Sequence, residues 1–208
     1  VAATRREDQG AVPVHVDLGL HVATRSRLRQ NGQAQLDRSV VIESAGMLSL
    51  YDAWIRVISD AFVKQSRFDP LHTAETEQLL LDRLGGWLGV ASANDRLALE
   101  IEFRGIAHSA ELESLDLVAA AAPVYQRIAS QLRAIYRAEE TPAIQLSDRA
   151  ARMPGLADML AARVGGEIFL LESGATARGL LARCRDMQRG DGGVTLIRQL
   201  PWDQSSLS

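Results

Sequence analysis

The amino-terminal third constrains this chain most. An apolar run at Val12–Leu20 carries Asp17 and Gly19 close together, an alternating run follows at Val22–Arg29, and Asn31-Gly32 separates it from a third extended run at Ala34–Glu43. Alternation buries one face of a strand, and Asn-Gly is a strong hairpin signal. The pattern predicts a three-stranded antiparallel meander.

Helical spacing comes next. Leu48, Tyr51, Ile55, Ile58 and Phe62 predict a helix to about Val63, and Pro70 in Arg67–His72 breaks it. Thr73–Leu88 reads as a second helix with Leu79, Leu80, Leu84 and Trp87 on its apolar face. Asn94–Phe103 and Ile106–Ser109 read as a hairpin across Arg104-Gly105. Ala110–Arg137 reads as one long helix or a pair, with Pro123 opening the second segment and Leu115, Val118, Tyr125, Ile128, Leu132 and Ile135 on one side. A strand at Ala143–Leu146, a helix at Gly155–Arg163, a strand at Glu167–Leu171 and a helix at Ala175–Met187 follow. After a glycine-rich turn at Arg189–Gly193, Val194–Leu200 is expected as a final strand. The order predicts one α/β domain over residues 12–200, with tails at 1–11 and 201–208 and a small α+β insertion at about 68–109.

Composition narrows the function classes. With 47% hydrophobic and 24% charged residues, the 208-residue chain can build a substantial core. A net charge of −3 dilutes the arginines at positions 25, 27 and 29 and argues against a nucleic-acid binder. The longest apolar run, Leu117–Tyr125, falls well short of the ~20 residues of a membrane span. One cysteine, Cys184, excludes an internal disulfide and points to a reducing, cytoplasmic setting; its helical context predicts a buried small hydrophobe. The chain opens at Val1 and its first methionine is Met47, so a piece of a longer product is expected.

Two motifs at the ends of the domain carry a resemblance. The first is Val12–Leu28; the second is Ala143–Leu160 with Gly174–Cys184. Together they resemble the second lobe of the actin, DnaK-type heat-shock chaperone and sugar kinase ATPase superfamily. The resemblance implies a ribonuclease-H-like, actin-like βββαβα lobe: a mixed sheet with helices packed on it. It also implies ATP and Mg²⁺ in a cleft shared with a first lobe, a chaperone-like switch driven by lobe closure, and a protein client. Asp17 matches the aspartate of the family's phosphate hairpin, which orients a metal-bound or nucleophilic water, and Gly19 matches one of its glycines. Leu20 and His21 stand where the family has more glycine or a small hydroxyl residue. Arg152-Met153-Pro154 aligns with the opening of the family's helix, which puts Asp148 and Arg149 on the paired glycines of the adenosine turn. Gly46, in a small-residue turn, and Gly174, before a small-residue helix, complete the implied cleft lining.

The departures leave two readings open. The chain is either the second lobe of an ATP-driven switch, inactive alone because the first lobe is missing, or a degenerate, non-hydrolysing scaffold that binds protein partners. Side chains where a ligand needs bare backbone obstruct it, which favours weak or lost nucleotide binding. A sugar kinase lacks an identifiable sugar-binding carboxylate and base. A lobe without its mate would expose an apolar face suited to a second copy.

Other candidates have simpler explanations. His15, Asp17 and His21 share a face of a regular strand, but ~3.3 Å per residue puts the histidines ~20 Å apart, too far for one metal ion. Ser147 and Ser173 lack a histidine partner at readable spacing. Arg67–His72 is expected to connect two helices, anchored by Phe68 and Leu71, with a partner-binding loop as the alternative. Trp54 and Trp87 are expected in the core; Trp202 sits in or near it, or exposed in the tail.

Overall fold

The structure, a computed structural model, describes residues 11–30, 33–184 and 198–201. The predicted meander is present as β1 (Ala11–Leu18), β2 (Ala23–Gln30) and β3 (Gln33–Ile42), paired antiparallel in sequence order. Two later strands, β6 (Thr141–Leu146) and β7 (Glu167–Leu170), extend the sheet from the other side of β1, both parallel. With the short β8 (Gln199–Pro201) antiparallel on β3, the strand order is β7-β6-β1-β2-β3-β8. The fold is α/β, a mixed sheet with helices packed on it.

Alternation sorts the central strand. Val14, Val16 and Leu18 are fully buried, while His15 and Asp17 point to the opposite face. The buried face shares one apolar core with α1 (Met47–Ser66) and α3 (Ser114–Arg133). On α1 the buried stripe is Leu50, Trp54, Ile58, Ala61 and Phe62; Leu48 is exposed. Trp54 donates its indole N–H to the Leu117 carbonyl at 2.9 Å, so its polar atom costs nothing while its ring fills the α1–α3 seam. Trp87 joins the same core.

Between α1 and α3 lie α2 (Ala74–Ala91), β4 (Arg96–Phe103) and β5 (Ile106–Glu113), whose buried residues join the same core. Thr73 opens α2 in a reciprocal capping box with Thr76. Phe68 stacks on His108, with ring centroids 4.0 Å apart, and meets Phe62 edge-on. It anchors the α1–α2 connection as expected; Leu71 is exposed and does not. Asp69 organises that turn, its Oδ1 accepting from the Leu71 N–H and the Ser59 hydroxyl.

Several expectations are corrected. Ala110–Glu113 belongs to β5, because each residue pairs with β4, and that pairing outweighs its helix-favouring composition. Helix α3 therefore starts at Ser114 and turns Leu117, Ala121 and Tyr125 inward. Leu115 is 74% exposed. Pro123 does not divide α3; buried Leu117 and Ala121 before it, and Val124 and Ile128 after it, hold both halves against one core. The turn after β6 contains a one-turn helix, α4 (Asp148–Ala151), before α5 (Leu156–Val164). Helix α6 spans Ala175–Ala182, and Cys184 beyond it is exposed, not buried. Strand β1 ends at Leu18, so His21 lies in a turn and does not share the face of His15 and Asp17. The Asn31-Gly32 turn, Arg189–Gly193 and Trp202 lie outside the described residues. Among the described residues, no helix is long and apolar enough to cross a membrane.

Candidate functional site

The parallel strands β6, β1 and β7 end side by side. The Ser147 N–H donates to the Val16 carbonyl and the Leu171 N–H to the Leu146 carbonyl, each at 2.9 Å. From this edge the chain diverges: β1 turns back into β2, while β6 passes through α4 and α5 to β7 on the other side. Such a divergence at the carboxyl ends of strands leaves a crevice where α/β proteins bind ligands. Asp17, the Gly19–His21 turn, Asp148, Arg149 and Gly174 are all set along this one edge.

The β1–β2 turn is held rigidly. The Gly19 N–H donates to the Val22 carbonyl at 2.8 Å. The Gly19 and Leu20 carbonyls accept from the Met47 and Leu48 N–H groups, both at 3.0 Å, and so satisfy two of the free donors at the start of α1. Gly46 makes that docking possible, since a β-carbon there would lie 2.3 Å from the His21 carbonyl carbon. Leu20 and His21 are both exposed.

On the other side, Ser147 caps α4 by accepting from the Ala150 N–H at 3.3 Å. The capped turn projects Arg149 across the crevice, where its Nη2 donates to both carboxylate oxygens of Asp17, at 3.0 and 3.2 Å. Asp148 faces Arg152 at 3.4 Å, one helical turn on. The β7 exit is closed in the same manner: Gly174, at φ +76°, opens α6, and Arg178 bonds both the Glu172 carboxylate at 3.0 Å and the Ser173 carbonyl at 2.8 Å. Tyr125 fixes the segment between α4 and α5 from below, its hydroxyl donating to the Pro154 carbonyl at 3.0 Å, and burial pushes its ionisation upward.

His15, one position inward from Asp17 on the same face, has its pKa lowered by desolvation, against the raising influence of Asp17. Gln145 pairs with His15 across the parallel ladder and is buried, with both side-chain polar atoms unpartnered among the described residues.

These residues do not fit a magnesium–triphosphate in this arrangement. In this arrangement Asp17 is engaged by a guanidinium, which a metal ion would have to displace. A phosphate cradle needs free N–H groups, and the Gly19 N–H is used within its own turn. The turn that the resemblance assigns to adenosine carries the Asp148 and Arg149 side chains where bare backbone would be required. No group of three acidic, histidine or cysteine residues suited to a metal ion occurs among the described residues.

The Asp17–Arg149 pair had no signal in the sequence, because the partners are 132 positions apart and meet only through the β1–β6 pairing. Only the Asp148–Arg152 contact was readable in principle, from its i,i+4 spacing. Comparison with protein-family models and with curated proteins gave no match.

Proposed function

We propose that this chain is one lobe of actin-like, ribonuclease-H-like architecture that works as a non-hydrolysing scaffold for protein partners. The architecture is supported by the order β3-β2-β1-β6-β7, with an antiparallel meander joined to a parallel pair and an insertion between the two long helices. One observation carries the loss of nucleotide chemistry: Arg149 bridges the crevice to Asp17 and occupies the carboxylate that would otherwise serve a metal ion.

A second reading, the ATP-driven two-lobe switch with a chaperone-like client, is favoured by the gathering of the implied cleft residues on a single strand edge. It requires Arg149 to swing away from Asp17 when the first lobe and Mg²⁺–ATP arrive. Calorimetric titration of Mg²⁺–ATP into the full-length gene product separates the two. The scaffold reading expects no saturable heat. Saturable binding that is abolished by Asp17→Ala would overturn it in favour of the switch.

A further inference from the structure

Away from the crevice, strand β2 turns Arg25, Arg27 and Arg29 toward the helices, beneath the carboxyl end of α3. A bulge in the β2–β3 pairing at Arg27/Leu28 makes Asp37 the extra residue, and its carboxylate reaches Arg27 at 3.5 Å and Arg29 at 2.5 Å. Arg27 is the best satisfied: it forks onto Glu140 at 2.6 and 2.9 Å and donates to the Ile135 carbonyl at 2.7 Å. Three guanidinium groups around the same cavity have no carboxylate in ion-pair contact among the described residues: Arg25, Arg38 and Arg137. The cavity measures about 470 Å³.

Arg25 is the anomaly. It is 6% exposed; among the described residues its Nε and Nη1 have no hydrogen-bond partner, and Nη2 reaches only Gln131 Oε1 at 3.5 Å. A buried cation left unpaired costs several kcal/mol. Desolvation, with Arg38 close by, weakens its hold on its proton. A protein core gains nothing from such a group, whereas a site for an anion gains a preorganised donor.

We infer that this cavity binds a phosphoryl group, as free phosphate or as a phosphomonoester, with Arg25 as its floor and Arg38 and Arg137 as its rim. This goes beyond the scaffold reading and does not depend on it. Three guanidinium groups without an ion-pair contact among the described residues, arriving from β2, β3 and the exit of α3, match a dianion with several acceptor oxygens better than a singly charged carboxylate. Asp37 also lines the cavity, but its carboxylate is already committed to Arg27 and Arg29, and Glu140 is committed to Arg27.

Calorimetry on the full chain tests this with inorganic phosphate, glucose 6-phosphate and malonate, each against chloride at matched ionic strength. Saturable binding of either phosphate is expected, and the tighter of the two identifies the source of the group. Arg25→Met, which keeps the buried stem and removes the charge, should weaken that binding at least about tenfold. Should Arg25→Met not fold, the exposed Arg38→Gln must show a loss on the same scale. Phosphate behaving like chloride, malonate binding as tightly as phosphate, or both variants binding as wild type would each overturn the assignment.

Discussion

Arg149 and Arg25 are the same side chain put to opposite uses. Arg149 lies in the one-turn helix after β6, half exposed, with its charge answered by Asp17. Arg25 lies on the strand's buried face, with its charge unanswered. A half-exposed pair gains little, because water competes for both partners. A buried, unpaired cation is expensive and is retained only where something else returns the cost. The visible ion pair at the crevice is thus the weaker energetic statement, and the missing one under α3 is the stronger.

Three substitutions would break or sharpen this contrast. The largest effect is expected at Gly46. Gly46→Ala forces a β-carbon into the backbone of His21 and should cost about 3 kcal/mol in denaturant unfolding. It should displace the Asp17 turn and leave phosphate affinity at Arg25 intact; a variant as stable as wild type would show that the turn is not held as described. Next comes Glu140. The Arg27 guanidinium, with the Arg137 N–H, holds its carboxyl down to about 2. Its folded pKa lies below the unfolded value, so its contribution is complete above about pH 4.5 and is lost as pH falls through about 2. Glu140→Gln should cost about 2 kcal/mol at pH 7, and the difference from wild type in thermal melts should shrink steadily on acidification. The smallest effect is expected at the crevice. Arg149→Ala should change stability by less than about 1 kcal/mol, and any loss should fade in high salt. A loss well above that would mean the Asp17 pair is more deeply desolvated than its 36% and 51% side-chain exposures indicate.

The meander, the two long helices and the later strand–helix–strand were legible because each rests on a local period or a local turn. Val14, Val16 and Leu18 announce a buried strand face on their own. The failures share a cause: the deciding partner was distant. Nothing within Ala110–Glu113 says that it pairs with Arg96–Leu99. Tyr125, Ile128 and Leu132 were legible as the inner side of α3, and Leu115, in the first turn beside that boundary, was not. Cys184 was assigned to the core because its surroundings are apolar, yet Leu180 and Leu181 beside it are exposed as well. The crevice was legible only as an assembly of loops after strands. Its central contact was not, since Arg149 was read against absent glycines and not against Asp17. Arg25 was seen as one member of a charge cluster, and its burial depends on α3 lying above it.

The β1–β6 pairing also sets a timetable. Strand β1 is the centre of the sheet, and its second edge is completed only when Val14 meets Ile144 and Val16 meets Leu146, after the entire insertion and α3 have been made. Pairings this far apart in the chain raise contact order and slow folding. During synthesis the amino-terminal hairpins can form at once, but they must wait with one apolar strand edge uncovered until the last third of the domain arrives. The docking of β6 is therefore expected to be the slow step in forming this protein, and the interval before it the one in which the nascent chain is most exposed to aggregation.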